Sequence, residues 1–150
     1  MPAILALDIA TRTGWARSND AGVAASGVLD LSRWRADYAE MGWHFGVWIA
    51  DQIAEYRIRA LVVERPFMRF GDVTYLLGGL AFHARAIAHG HGVLSAEIAA
   101  TTIKKFATGS GRASKPDVVR AVRGWGFDPA DDNEADAIAL LTYAMQRQAA

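Results

Sequence analysis

The sequence predicts an α/β protein: a mixed five-stranded sheet, three antiparallel strands followed by parallel ones, flanked by helices. Short apolar runs bounded by turn residues fill the first 31 positions. Beyond them, apolar runs of strand length alternate with stretches whose large apolar residues recur every three or four positions. With 150 residues, 52% of them hydrophobic and 21% charged, the composition is that of one ordinary globular domain, residues 1–150, able to bury a real core.

The elements follow in order. Residues 4–7 are an apolar strand ending at Asp8, and Thr11-Arg12-Thr13-Gly14 reads as a turn before a second strand at Trp15 and Ala16. A third strand spans 23–31, completing an antiparallel meander. Trp34, Tyr38, Met41, Phe45, Trp48, Ile49, Ile53 and Tyr56 then mark an amphipathic helix entered through Ser32 as N-cap. The continuous apolar run 60–63, stopped by Glu64 and Pro66, is a buried parallel strand. Asp72 caps a second helix to about residue 88, closed by His89-Gly90-His91-Gly92, a solvated turn rather than a metal site. A short strand covers 93–96. Pro116 opens a helix to about 124, and 133–146 form the last helix.

Several function classes drop out on composition. There is no cysteine, so neither disulfides nor thiolate metal sites exist, in keeping with a reducing compartment. No apolar run approaches membrane-spanning length and the N-terminus lacks signal-peptide character, so the expectation is a cytoplasmic protein without a membrane partner. The zero net charge conceals two opposed strips. Lys104, Lys105, Arg112, Lys115, Arg120 and Arg123 face Asp117 alone between 101 and 125, whereas Asp128, Asp131, Asp132, Glu134 and Asp136 follow with no basic residue before 137. Such a pair reads as a phosphate track beside a cation site, or as solvated charge on two adjacent helices.

Asp8 and Glu64 each end an apolar strand, where a carboxylate is costly unless paired. In neighbouring strands they would converge, and Asp136 brings a third acid from the last helix, with Asn133 three residues earlier on the same helix face. Three acids and an amide are hard oxygen ligands suited to Mg²⁺ or Mn²⁺, and such a cluster suggests two-ion phosphoryl transfer. Asp132 either adds charge to this site or caps the last helix. Gly109-Ser110-Gly111 offers backbone amides to a phosphate but lacks the glycine-lysine-hydroxyl ending of a nucleotide loop.

On these residues the chain resembles the RuvC-type Holliday-junction resolvases, bacteriophage and prophage members among them. The resemblance runs through ILALD at 4–8, VVERPFM at 62–68, IKKFATGSGRASK at 103–115 and NEADAIA at 133–139. It implies an RNase H-like fold, a homodimer, branched DNA such as a four-way junction as substrate, and symmetric nicking with no nucleotide cofactor. Asp8, Glu64, Asn133 and Asp136 match the four metal-binding positions, with asparagine where many relatives carry aspartate and some histidine. Lys104 and Lys115 match two lysines near the scissile phosphate, Lys105 adjoins them, and Phe67 matches an aromatic that stacks on junction bases. Gly109, Gly111 and Arg112 complete the expected DNA-binding set. Three alternatives are weighed against this reading. An actin-like ATPase or sugar kinase needs a second domain; a catalytically inactive junction binder and a nuclease for flaps or structured RNA share the fold.

Overall fold

The computed structural model of the chain describes residues 1–67 and 71–150; Met68, which closes the second motif, lies outside the described residues. A five-stranded sheet has the order β3-β2-β1-β4-β5. Strand β1 (Ala3–Asp8) pairs antiparallel with β2 (Arg12–Asn19), which pairs antiparallel with β3 (Gly22–Asp30). Strand β4 (Ile58–Glu64) joins the other side of β1 in parallel, and β5 (Leu94–Ile98) joins β4 in parallel.

The strand period of two divides the interior between the sheet's faces. Leu5, Leu7, Leu61 and Val63 belong to one core, covered by α1 (Tyr38–Tyr56) and α2 (Asp72–Gly90) through Met41, Phe45, Ile49, Leu76 and Leu80. Ile4, Ala6 and Val62 belong to the opposite core, under α5 (Asp132–Ala149). Helices α3 (Ala100–Thr108) and α4 (Lys115–Gly124) add Ile103, Val118 and Val122 to that second core. Buried on several sides, α5 carries small Ala135, Ala137 and Ala139 beside Ile138, Leu140 and Leu141. Among the described residues no helix is long and apolar enough to cross a membrane.

The boundaries depart from the sequence reading where a side chain competes for a backbone group. The expected turn at 11–14 lies earlier: residues 12–14 are already in β2, and the Thr13 hydroxyl closes the turn by donating to the Ala10 carbonyl at 2.6 Å. Helix α1 starts at Tyr38, because the Asp37 carboxylate accepts from the Ala39 and Glu40 amides; Ser32 instead begins a single 3-10 turn, Ser32–Trp34. At α2 the N-cap is Gly71, with φ of 119°, and Asp72 is the first helical residue. Helix α3, absent from the sequence reading, is nine residues long, has no side-chain cap and buries Ile103 alone. The cap of α5 is Asp131, not Asp132; its side chain accepts from the Glu134 amide at 2.8 Å.

Candidate metal centre and nucleic-acid interface

The alternation that builds the two cores also aims the first two acids. Asp8 continues the series Ile4, Ala6 and Glu64 continues Ala60, Val62, so both fall on the α5 face. The parallel register sets Leu7 opposite Val63, and the next residue on each strand is a carboxylate. Asp136, in the second turn of α5, meets them there. One carboxylate oxygen from each of Asp8, Glu64 and Asp136 lies within 4.8 Å of the others, and all three side chains are partly buried.

Helix α5 comes this close because the strand beneath it is bare at one point. Gly14 pairs with Asp8 across β1 and β2, and a Cβ on Gly14 would lie 1.9 Å from the Asn133 carbonyl oxygen. The first turn of α5 is then tied down residue by residue. Asp131 caps it and reaches the Arg12 guanidinium at 3.6 Å, while Arg12 also pairs with Asp30 at 3.1 Å. The Asn133 amide nitrogen donates to the Arg12 carbonyl at 2.9 Å, so its oxygen is the atom left for a cation. Glu134, a buried acid, accepts from the Ser26 hydroxyl and the Ala130 amide, each at 2.7 Å.

Three carboxylates taken from water into one site repel each other. Burial pushes the Asp8 carboxyl well above its usual range, and the charges of Glu64 and Asp136 push it further. Burial also raises Glu64, opposed by the Lys104 charge and by a hydrogen bond with Asp8. Asp136 is pushed up to about 7, first by burial and then by Glu64 and Asp132, against the pull of Lys115 and Lys104. A divalent cation relieves this repulsion, and an all-oxygen donor set without thiolate or paired imidazole fits Mg²⁺ or Mn²⁺.

Both expected lysines stand at this centre. Lys104 on α3 acts on Glu64 and Asp136; Lys115, the first residue of α4, acts on all three acids and pairs with Asp132 at 3.0 Å. Lys105 and Arg112 are exposed, Arg112 in a shallow depression of about 520 Å³ shared with Thr108, Ser110 and Arg120. Two amides of the glycine loop are engaged within the chain. Gly109 ends α3 in the left-handed region at φ 87° and donates its amide to the Lys105 carbonyl, and the Ser110 amide goes to the Thr108 hydroxyl. Gly111 packs against Thr101, with 3.4 Å left between a Cβ and the Thr101 carbonyl oxygen. Phe67, three residues beyond Glu64, is 74% exposed.

Sequence reasoning missed Arg12, Gly14 and Glu134 as supports of the centre. Only Glu134 left a trace, as one acid of the strip that also holds Asp131, Asp132 and Asp136.

No family model matches the chain. It is 34% identical to the crossover junction endodeoxyribonuclease RuvC of Halorhodospira halophila (strain DSM 244 / SL1), across 99% of this chain and 93% of that one. Its fold is also that of Thermus thermophilus RuvC in complex with Holliday junction substrate, with a TM-score of 0.82 at 22% identity over 99% of this chain and 96% of the other. The yeast mitochondrial Holliday junction resolvase Ydc2 shares the fold at a TM-score of 0.69 and 12% identity, over 97% and 78% of the two chains. The match over nearly the full length of both chains, together with the sheet order that brings Asp8, Glu64 and Asp136 together, places the chain in the RuvC family of crossover junction endodeoxyribonucleases.

Proposed function

We propose that the chain resolves four-way DNA junctions by paired, symmetric hydrolysis of phosphodiester bonds, with Mg²⁺ or Mn²⁺ at two positions in each active site. The observation that carries this reading is the convergence of Asp8, Glu64 and Asp136 from two strands and a helix, flanked by Lys104 and Lys115. The carboxylates, with the Asn133 amide oxygen, would hold the cations, whose chemistry is to activate water and stabilise the leaving oxygen. Lys104 and Lys115 would offset charge on the scissile phosphate as the bond breaks. Lys105 and Arg112 would hold the flanking backbone, and Phe67 would stack on an unpaired base near the crossover.

A junction has two equivalent strands to cut, and a two-fold dimer matches it with two sites. The face proposed for dimerisation is the groove of about 1000 Å³ between α1 and α2. Trp43, Val47, Tyr75 and Phe82 line it and are exposed, so large apolar side chains there lie outside either core. Leu76 and Leu80 line the same groove but are buried in the core.

Incubation with four-way junction, flap, duplex and RNA substrates, with and without Mg²⁺, tests the reading. Metal-dependent symmetric nicks on the junction are expected. Preference for flaps or RNA, or binding of the junction without cleavage, would overturn it in favour of the other two uses of the fold.

A further inference from the structure

Two helix N-termini are joined beside the three carboxylates by an ion pair, Lys115 Nζ to Asp132 Oδ2 at 3.0 Å. Lys115 opens α4 and Asp132 opens α5. The backbones at both ends are fixed independently of this pair. The Ser114 and Asp117 side chains bond reciprocally to each other's amides at the start of α4, and Asp131, Asn133 and Glu134 anchor α5 to its own amide, to β2 and to β3. Each other polar residue in the first turn of α5 is thus engaged in seating the helix, and Asp132 is engaged with Lys115.

Stability does not account for the pair. Its side chains are 65% and 36% exposed, and an ion pair so open to water adds little to folding. What it does is localise charge. A lysine ammonium on a flexible four-carbon stem otherwise samples many positions. Asp132 lies four residues before Asp136 on one helix face, yet it is not among the carboxylates whose oxygens meet within 4.8 Å.

We propose that Asp132 is a positioning residue that holds the Lys115 ammonium over the metal centre, where the scissile phosphate arrives, and is not a fourth cation ligand. The inference rests on the junction-cleaving reading above. It gives the acid beside Asn133 a use in a chain whose fourth metal-binding position is a neutral amide.

The test is a double-mutant cycle with Asp132→Asn, Lys115→Met and the combination, read in three ways. Calorimetric titration with Mn²⁺ alone should give Asp132→Asn an affinity within about twofold of the parent, because no ligand is lost. Single-turnover cleavage of a four-way junction should slow roughly tenfold in Asp132→Asn, and the double variant should be no slower than Lys115→Met, since coupled residues are not additive. Asp132→Glu should recover part of the rate. In protein carrying ¹³C-labelled lysine, the Lys115 side-chain resonances should shift towards those of a mobile surface lysine in Asp132→Asn. A tenfold loss of Mn²⁺ affinity, additive rate losses, or unchanged Lys115 resonances would each overturn the proposal. The spectroscopic arm stands whether or not the parent chain cleaves a junction, so failure of the activity reading and failure of this one are told apart.

Discussion

At the scale of single residues, the centre is defined by what each side chain does when no cation compensates its charge. Asp8 is raised well above its ordinary range by burial and by both neighbouring carboxylates. Asp8→Asn is expected to cut Mg²⁺-dependent junction cleavage by at least about 100-fold while junction binding, carried by the basic strip, changes little. Gel-shift and cleavage assays on the same preparation check both halves, and wild-type turnover would remove Asp8 from the centre. Asn133 makes a second case. An aspartate there would supply a fourth negative charge, but it would forfeit the hydrogen bond to the Arg12 carbonyl and add repulsion to three acids. Asn133→Asp should therefore lower the unfolding free energy by about 1–3 kcal/mol in EDTA, with the deficit shrinking in saturating Mg²⁺. Urea titrations under the two conditions measure it, and equal stability in EDTA would show that the Arg12 bond contributes nothing.

At the scale of elements, the seating of α5 on β2 decides whether the centre exists at all. The backbone of Asn133 lies directly on Gly14, which in turn pairs with Asp8. Gly14→Ala must push the helix away or bend the strand, and Asp136 moves with the helix. The expected result is loss of Mn²⁺ binding together with a destabilisation of roughly 1–3 kcal/mol, the cost of overpacking a close contact. A variant that folds and binds Mn²⁺ like the parent would contradict the close approach. The α1 and α2 pair is a separate matter, since it covers the sheet face opposite the acids. Phe82→Glu places a charge at a site 81% exposed, so the monomer should keep its melting temperature within a few degrees. Analytical ultracentrifugation should then find a dimer for the parent and a monomer for the variant; a monomeric parent would rule the face out as a self-contact.

At the scale of the whole molecule, charge repulsion in one site becomes a pH dependence of folding. Asp136 has a folded-state value of about 7 against an ordinary 3.8, and Asp8 and Glu64 are raised as well. A raised carboxylate binds protons more tightly in the native state than in the unfolded one. Its ionisation therefore costs stability, at roughly 1.4 kcal/mol for each unit of difference. The metal-free protein should be more stable near pH 5 than near pH 8, with the loss from Asp136 developing between about 4 and about 7. Divalent cation should restore stability at the upper end and should bind more tightly as pH rises through 7, releasing protons. Melting curves across this range with EDTA and with Mg²⁺ would show the two profiles converging at low pH; parallel profiles would mean that the three acids do not titrate together.

The sequence by itself determined the local terms of this protein. Continuous apolar runs marked β1 and β4, three-and-four spacing marked α1, and the carboxylates that end the apolar runs were legible as Asp8 and Glu64 because a charge following buried residues is conspicuous in one dimension. Only the tertiary structure decided what depends on two elements meeting. The parallel β1–β4 register brings Asp8 beside Glu64, Gly14 matters because a helix from the far end of the sequence rests on it, and Asp131 caps α5 while Asp132 turns to Lys115. Three adjacent acidic or amide residues look alike along the chain. They acquire different tasks because a helix presents successive residues about 100° apart, and the neighbours found at each angle come from elsewhere in the sequence.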